Sequence, residues 1–129
     1  GQEVIMQDPV YVGIQMALSV RVAENFYQSE MRFAIAQVLG YGPGGFFEPG
    51  EHGFGEDLYV SDVIEALMTL DGVQHVCLNR FKRVGGQYAD RTDAGFIILD
   101  GLEVGVCNNQ PGVPEMGYYR LVLHGGRKG

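Results

Sequence analysis

A chain of 129 residues has room for one hydrophobic core and hardly for two, and its 46% hydrophobic and 11% aromatic content is enough to fold rather than stay disordered. Nine Lys and Arg against sixteen Asp and Glu leave a net charge of -7, the wrong sign for gripping phosphate backbones, so nucleic acid is excluded as the expected partner. No apolar run approaches the ~20 residues that span a bilayer, and Cys77 and Cys107 lack the spacing of a zinc site or a disulfide framework.

The opening Gly1-Gln2-Glu3 has neither an initiator Met nor a signal-like region, which reads as one domain, residues 1–129, of a longer protein. Twenty glycines, clustered rather than periodic, are about twice the ~7% average and point to long loops.

Taken in chain order, residues 10–22 alternate strictly. Val12, Ile14, Met16, Leu18 and Val20 fall on one side, Tyr11, Gln15, Ala17, Ser19 and Arg21 on the other, the pattern of a long strand with one face in the core and one open. Asn25 is then a cap for a helix over 26–39, with Tyr27, Met31, Ala34 and Val38 as its stripe. Gly40 is expected as its left-handed end and Pro43 as a block to resumption. A loop of about twenty residues, rich in Gly, Pro and Phe, runs on to Tyr59, a length usually found where a segment has a function.

Ser61 is the expected cap of a second helix whose stripe is Val63, Ala66, Leu67 and Leu70, ended by Asp71-Gly72. Residues 73–84 read as a strand with muddled alternation that suggests a bulge. Further strands are expected at 96–99, 102–107 and 118–123. Strand, helix, helix, then several strands is the order of an α+β fold. We expect a two-layer sandwich with a mixed or antiparallel sheet and both helices on one face, Met31, Ile35, Val38 and Leu67 packing on the first strand.

The chemistry-bearing residues form no familiar site. Gly40-Tyr-Gly42-Pro-Gly-Gly45 spells GxGxxG but follows a helix, where a dinucleotide motif follows a strand and opens a helix. The acids around His52 lack the spacing of a calcium loop. His75 and Cys77 share a strand face, yet no third residue is placed to orient the histidine, and a half-buried structural cysteine is the expectation. Catalytic, cofactor and metal residues are therefore all expected to be absent. In the long loop Phe54 and Tyr59 are expected as buried pins. Glu48, Glu51 and Glu56 are expected in water, an acidic rim suited to docking on a basic neighbour.

Several segments carry a resemblance. Gly45-Phe-Phe-Glu-Pro49, Phe54-Gly-Glu-Asp-Leu-Tyr-Val-Ser-Asp-Val63, Leu70-Asp-Gly-Val73, Leu102-Glu-Val104, Asn109-Gln-Pro111 and Pro114-Glu-Met-Gly117 occur in that order. Together they resemble the C-terminal region of baseplate assembly proteins, the J-like wedge family of contractile phage tails and related injection systems. The stretch 54–63 is the most specific. The chain departs from the family pattern at Cys107-Asn-Asn-Gln110 and at Met116.

The resemblance implies a structural role without catalysis, in a baseplate assembled in the bacterial cytoplasm and carried on a virion or tail-like particle. The implied partners are other wedge or hub proteins or further copies of the chain. The residues expected to make contact are Tyr11, Gln15, Ser19 and Arg21 on the open strand face and Glu48, Glu51 and Glu56 in the loop. The alternative from another class is a small-ligand-binding α+β regulatory domain, which calls for a closed apolar pocket.

Overall fold

The computed structural model describes residues 10–40, 45–48 and 55–128. Its elements are β1 (Val10–Tyr27), α1 (Gln28–Leu39), β2 (Leu58–Tyr59), α2 (Val60–Met68), β3 (Val73–Arg83), β4 (Phe96–Ile97), β5 (Glu103–Val106), a 3-10 turn (Pro114–Met116) and β6 (Tyr118–Arg127). β1 is the spine of a mixed sheet. β3 runs antiparallel along one side of it. On the other side β5 pairs in parallel with the first residues of β1, and β6 takes over in parallel from Gln15. The second edge is thus one strand interrupted between Val106 and Tyr118, where the chain leaves the sheet and returns. β2 and β4 form a separate antiparallel pair.

The strict alternation of β1 is realised in its packing. Ile14, Met16, Leu18, Val20 and Val22 are buried, and they share one cluster with Met31, Ile35 and Leu39 of α1, Val63 and Leu67 of α2, and Phe81 of β3. Both helices therefore cover the same face of the sheet, the α+β sandwich that the sequence implies. Each such side chain contributes ~1.5–3 kcal/mol of apolar burial, so the stripe of β1 anchors the domain.

The helix ends differ from expectation. Asn25 is not a cap: β1 stays extended to Tyr27, which still pairs with Arg127, so α1 starts at Gln28 with no side-chain cap. The Gln28 amide nitrogen instead donates to the Gly125 carbonyl (2.6 Å). The buried residues of α1 are accordingly Met31, Ile35 and Leu39, with Val38 only partly buried and Tyr27 exposed. Gly40 is extended, not left-handed. The returning backbone does the capping, Phe46 N–H on Val38 O (2.6 Å) and Phe47 N–H on Gly40 O (3.1 Å). Pro43 lies outside the described residues.

Ser61 sits inside the first turn of α2 rather than capping it. Tyr59 is held extended in the β2–β4 pair, and the Val60 N–H is met by Gly95 O (2.8 Å). Asp62 does occupy the first turn, where the helix dipole favours it.

The muddled alternation of β3 has a geometric cause. The pairing runs Ala17–Arg80 then Leu18–Leu78, and Arg21–His75 then Val22–Val73, so Asn79 and Gln74 are each an extra residue. Two bulges shift the register and let Val73, Val76, Leu78 and Phe81 all reach the core despite spacings of three, two and three.

At the end of β3, Arg83 forms a fork to Glu103 (2.9 and 3.0 Å) and also donates to Ile98 O (2.6 Å). The Arg83 fork, then the Asp100 N–H, hold the Glu103 carboxyl below the usual carboxylate range. A depressed folded value means that this stabilisation is present above the unfolded pKa, ~4.3, and is lost as pH falls through the folded value. We expect denaturant midpoints of the wild type to fall on acidification through that window, and those of Glu103→Gln, lower at neutral pH, to fall less steeply. Parallel acid limbs would show that the pair is thermodynamically idle.

Candidate interaction face

The face of the sheet opposite the helices is built from cross-strand rows. From β3 through β1 to β6 they read Lys82–Gln15–Tyr118, Arg80–Ala17–Arg120, Cys77–Ser19–Val122 and His75–Arg21–His124. Arg21, His75, Arg80, Tyr118, Arg120, Val122 and His124 are exposed, with Gln15, Ala17 and Ser19 half-buried between them. No acidic residue occupies any of these positions, although the chain carries sixteen.

Sequence order scatters these cations over three strands, and only the register collects them. Lys82 is drawn away from water, its ammonium donating to Gly85 O (2.9 Å). Asn79, displaced outward by its bulge, donates to the Ser19 hydroxyl (2.9 Å) and accepts a long contact from the Cys77 thiol (3.5 Å).

Toward the start of β1 the face is partly roofed. The segment between β5 and β6 closes on itself through Asn108 N–H to Met116 O (2.9 Å) and Asn109 N–H to Gly117 O (3.1 Å). It then crosses β1 at Gly13, where a Cβ would collide with the Glu115 carbonyl oxygen. Gly13 is a glycine because backbone lies directly on it.

Beside this roof a groove of about 400 Å³ is floored by Ala17 and walled by Arg80, Asn79, Tyr118 and Arg120. A second concavity of about 410 Å³ runs among Asn109, Pro111, Pro114 and Tyr119. Tyr118 and Arg120 line both, so the two adjoin.

Of the residues expected to make contact, Tyr11 (57% exposed) and Arg21 project from the open face, while Gln15 and Ser19 sit in its floor. Glu56 is exposed, as expected, whereas Glu48 is half-buried, and both have a partner within the chain. Glu51, Phe54 and His52 lie outside the described residues.

Tyr59 is not a buried pin. It is 45% exposed, with its ring 6.0 Å from Phe96, which also stacks under Arg91. The loop is pinned by Phe47 (4% exposed), with Phe46 set edge-on against it at 4.9 Å. Tyr59→Ala should therefore cost under about 1 kcal/mol, the scale of an exposed aromatic pair. A loss of several kcal/mol in denaturant melts would restore it as a pin.

Cys77 is exposed rather than half-buried. Cys107 is buried, and burial pushes its thiol up to about 12, the setting of an inert cysteine. Among the described residues no three His, Cys, Asp or Glu side chains converge as a metal site needs. No helix of the described residues is long and apolar enough to cross a membrane.

A further concavity near Arg83, Tyr88 and Ile97 is about 280 Å³. Its two arginines are already engaged, Arg83 by Glu103 and Arg91 by the Phe96 carbonyl (3.3 Å).

What sequence reasoning missed is the contribution of β3 and β6. A signal existed for β6, where Tyr118, Arg120, Val122 and His124 alternate with Tyr119, Leu121 and Leu123. For β3 the bulges hid it. No family model, curated protein or solved structure matches the chain.

Proposed function

We propose that this chain is an assembly module of a phage-tail-like baseplate wedge that docks other wedge or hub subunits and turns over no substrate. The carrying observation is the open face of β1, an eighteen-residue strand flanked on both sides and, beyond the roof at Gly13, left without an α-helix over its second surface among the described residues. Such a face offers small and hydrogen-bonding groups to a partner without displaying a large apolar patch beforehand. The ordered segments that resemble the J-like wedge family support the same reading. A face three strands wide is small beside the ~1,200–2,000 Å² of stable interfaces, so further contacts in the assembled particle are expected to reinforce it.

The competing reading, a regulatory ligand domain, calls for a closed apolar pocket. The concavity near Arg83 spends its charged groups on the chain's own carboxylate and carbonyls. The deciding experiment deletes the coding sequence for residues 1–129 from the source genome and images the particles by electron microscopy. Absent or non-contractile particles are expected. Normal, contractile particles would overturn the assembly role.

A further inference from the structure

We infer that the groove between Arg80 and Arg120 is a seat for a short, extended acidic segment of a partner protein. The inference rests on the docking reading above and adds to it the chemistry of the partner.

Arg80 and Arg120 stand on the two outer strands, in register on either side of Ala17. They are two strand spacings apart, roughly 9–10 Å between backbones, a gap that two long side chains can close over a methyl floor. Both line the one groove. Among the described residues neither is in an ion pair, unlike Arg83, and neither holds a side-chain hydrogen bond.

The Asp90 carboxylate feels the charge of Arg80 without forming an ion pair with it, and its Oδ1 is committed elsewhere. It takes Phe81 N–H (3.0 Å), Thr92 N–H (3.2 Å) and the Thr92 hydroxyl (2.7 Å). Two permanently charged guanidiniums with donors to spare, lining one groove on either side of a small residue, suit a carboxylate held in a fork.

Charge decides the size of the occupant. Removing Arg21, Arg80, Lys82 and Arg120 from the count leaves five Lys and Arg against sixteen acids for the rest of the chain, so a broad acidic surface would be repelled by everything but this face. A short segment lying within the face meets mainly positive neighbours, because charges beyond the ~8–10 Å Debye length are screened. The groove's continuation past Tyr118 to Pro111 and Pro114 sets its shape. An extended strand that places a carboxylate over Ala17 can lay a neighbouring apolar side chain against the prolines.

The test measures binding of a fluorescein-labelled hexaglutamate peptide to the full chain by anisotropy at ~0.1–0.15 M ionic strength, where the Debye length is ~8–10 Å, beside hexalysine and hexathymidylate probes. Hexaglutamate is expected to bind and hexalysine not to. Arg80→Gln and Arg120→Gln should each weaken it about tenfold, the worth of one charge-assisted contact, and Ala17→Glu should abolish it by filling the seat with the chain's own carboxylate. Arg32→Gln, on α1 behind the sheet, should leave it within about twofold, and circular dichroism confirms that each variant folds.

Equal binding of the two peptides, or indifference to both face arginines, would overturn the inference while leaving the docking reading to the deletion experiment. Tighter, arginine-dependent binding of hexathymidylate would overturn it in favour of a nucleic-acid seat. Conversely, normal particles without the chain would remove the baseplate reading, yet selective hexaglutamate binding would still establish the acidic seat.

Discussion

Leu18→Asp is expected to leave the chain unfolded under conditions where the wild type is native. Leu18 is 1% exposed and lies in register between Leu78 and Leu121 at the middle of the sheet, beneath the helices. A carboxylate there has no counter-ion, and breaking the pairing of a buried charge costs several kcal/mol. Protonating the aspartate avoids the charge but still forfeits the leucine, and truncating a buried leucine alone costs ~2–5 kcal/mol. On either route the cost of burying the carboxyl group comes on top of that loss, and the sum is comparable with the lower part of the ~5–15 kcal/mol that holds a domain of this size.

The control is one residue away. Ser19→Asp points to the open face, near Arg21 and the cations of the neighbouring strands, and should retain the native far-UV circular dichroism spectrum. If Leu18→Asp melted cooperatively within a few degrees of the wild type, the assignment of the two faces of β1 would be wrong.

That contrast between neighbours is also why so much of the fold is legible in the sequence. A strand of period two that alternates without exception for thirteen residues admits one register of inside and outside, and Tyr11, Gln15, Ser19 and Arg21 could be placed on the outer face from it alone. The helix stripes are legible to within one residue. Their ends are not, because tertiary partners did the work that side-chain caps usually do: Gly95 O for Val60, and the Phe46 and Phe47 amides for the end of α1.

Less still of the site is written locally. Arg80 and Arg120 lie forty positions apart in sequence, and nothing in either neighbourhood says that both pair with Ala17. The bulge at Asn79 is what brings Arg80, rather than Asn79, into that row. Long-range pairing with an inserted residue is the information that a periodicity argument lacks.

Gly13→Val should detach the roof of the open face without unravelling the core. A Cβ at Gly13 would collide with the carbonyl oxygen of Glu115 and stand 2.8 Å from the amide nitrogen of Gly117 and 3.0 Å from the carbonyl carbon of Glu115. All three are backbone atoms, so no side-chain rotation relieves the clash and the whole segment must lift. Gly117 has little room to adapt. Its φ is +90°, and a Cβ there would in turn meet Val106, Cys107 and Ile14 backbone.

Overpacking of this kind costs ~1–3 kcal/mol or more, within what the domain can lose while remaining folded. The readout is the thiol count. In the native wild type the exposed Cys77 should react with Ellman's reagent, and Cys107, 1% exposed with its thiol pushed up to about 12, should react only after denaturation. In Gly13→Val both should react natively, because Cys107 begins the segment that lifts.

The same displacement withdraws Pro111 and Pro114 from the groove but leaves Arg80 and Arg120 on their strands, so hexaglutamate binding should weaken without vanishing. A single reactive thiol and an unchanged melting temperature in Gly13→Val would show that the segment after β5 does not rest on β1. The roof over the open face would then have to be abandoned.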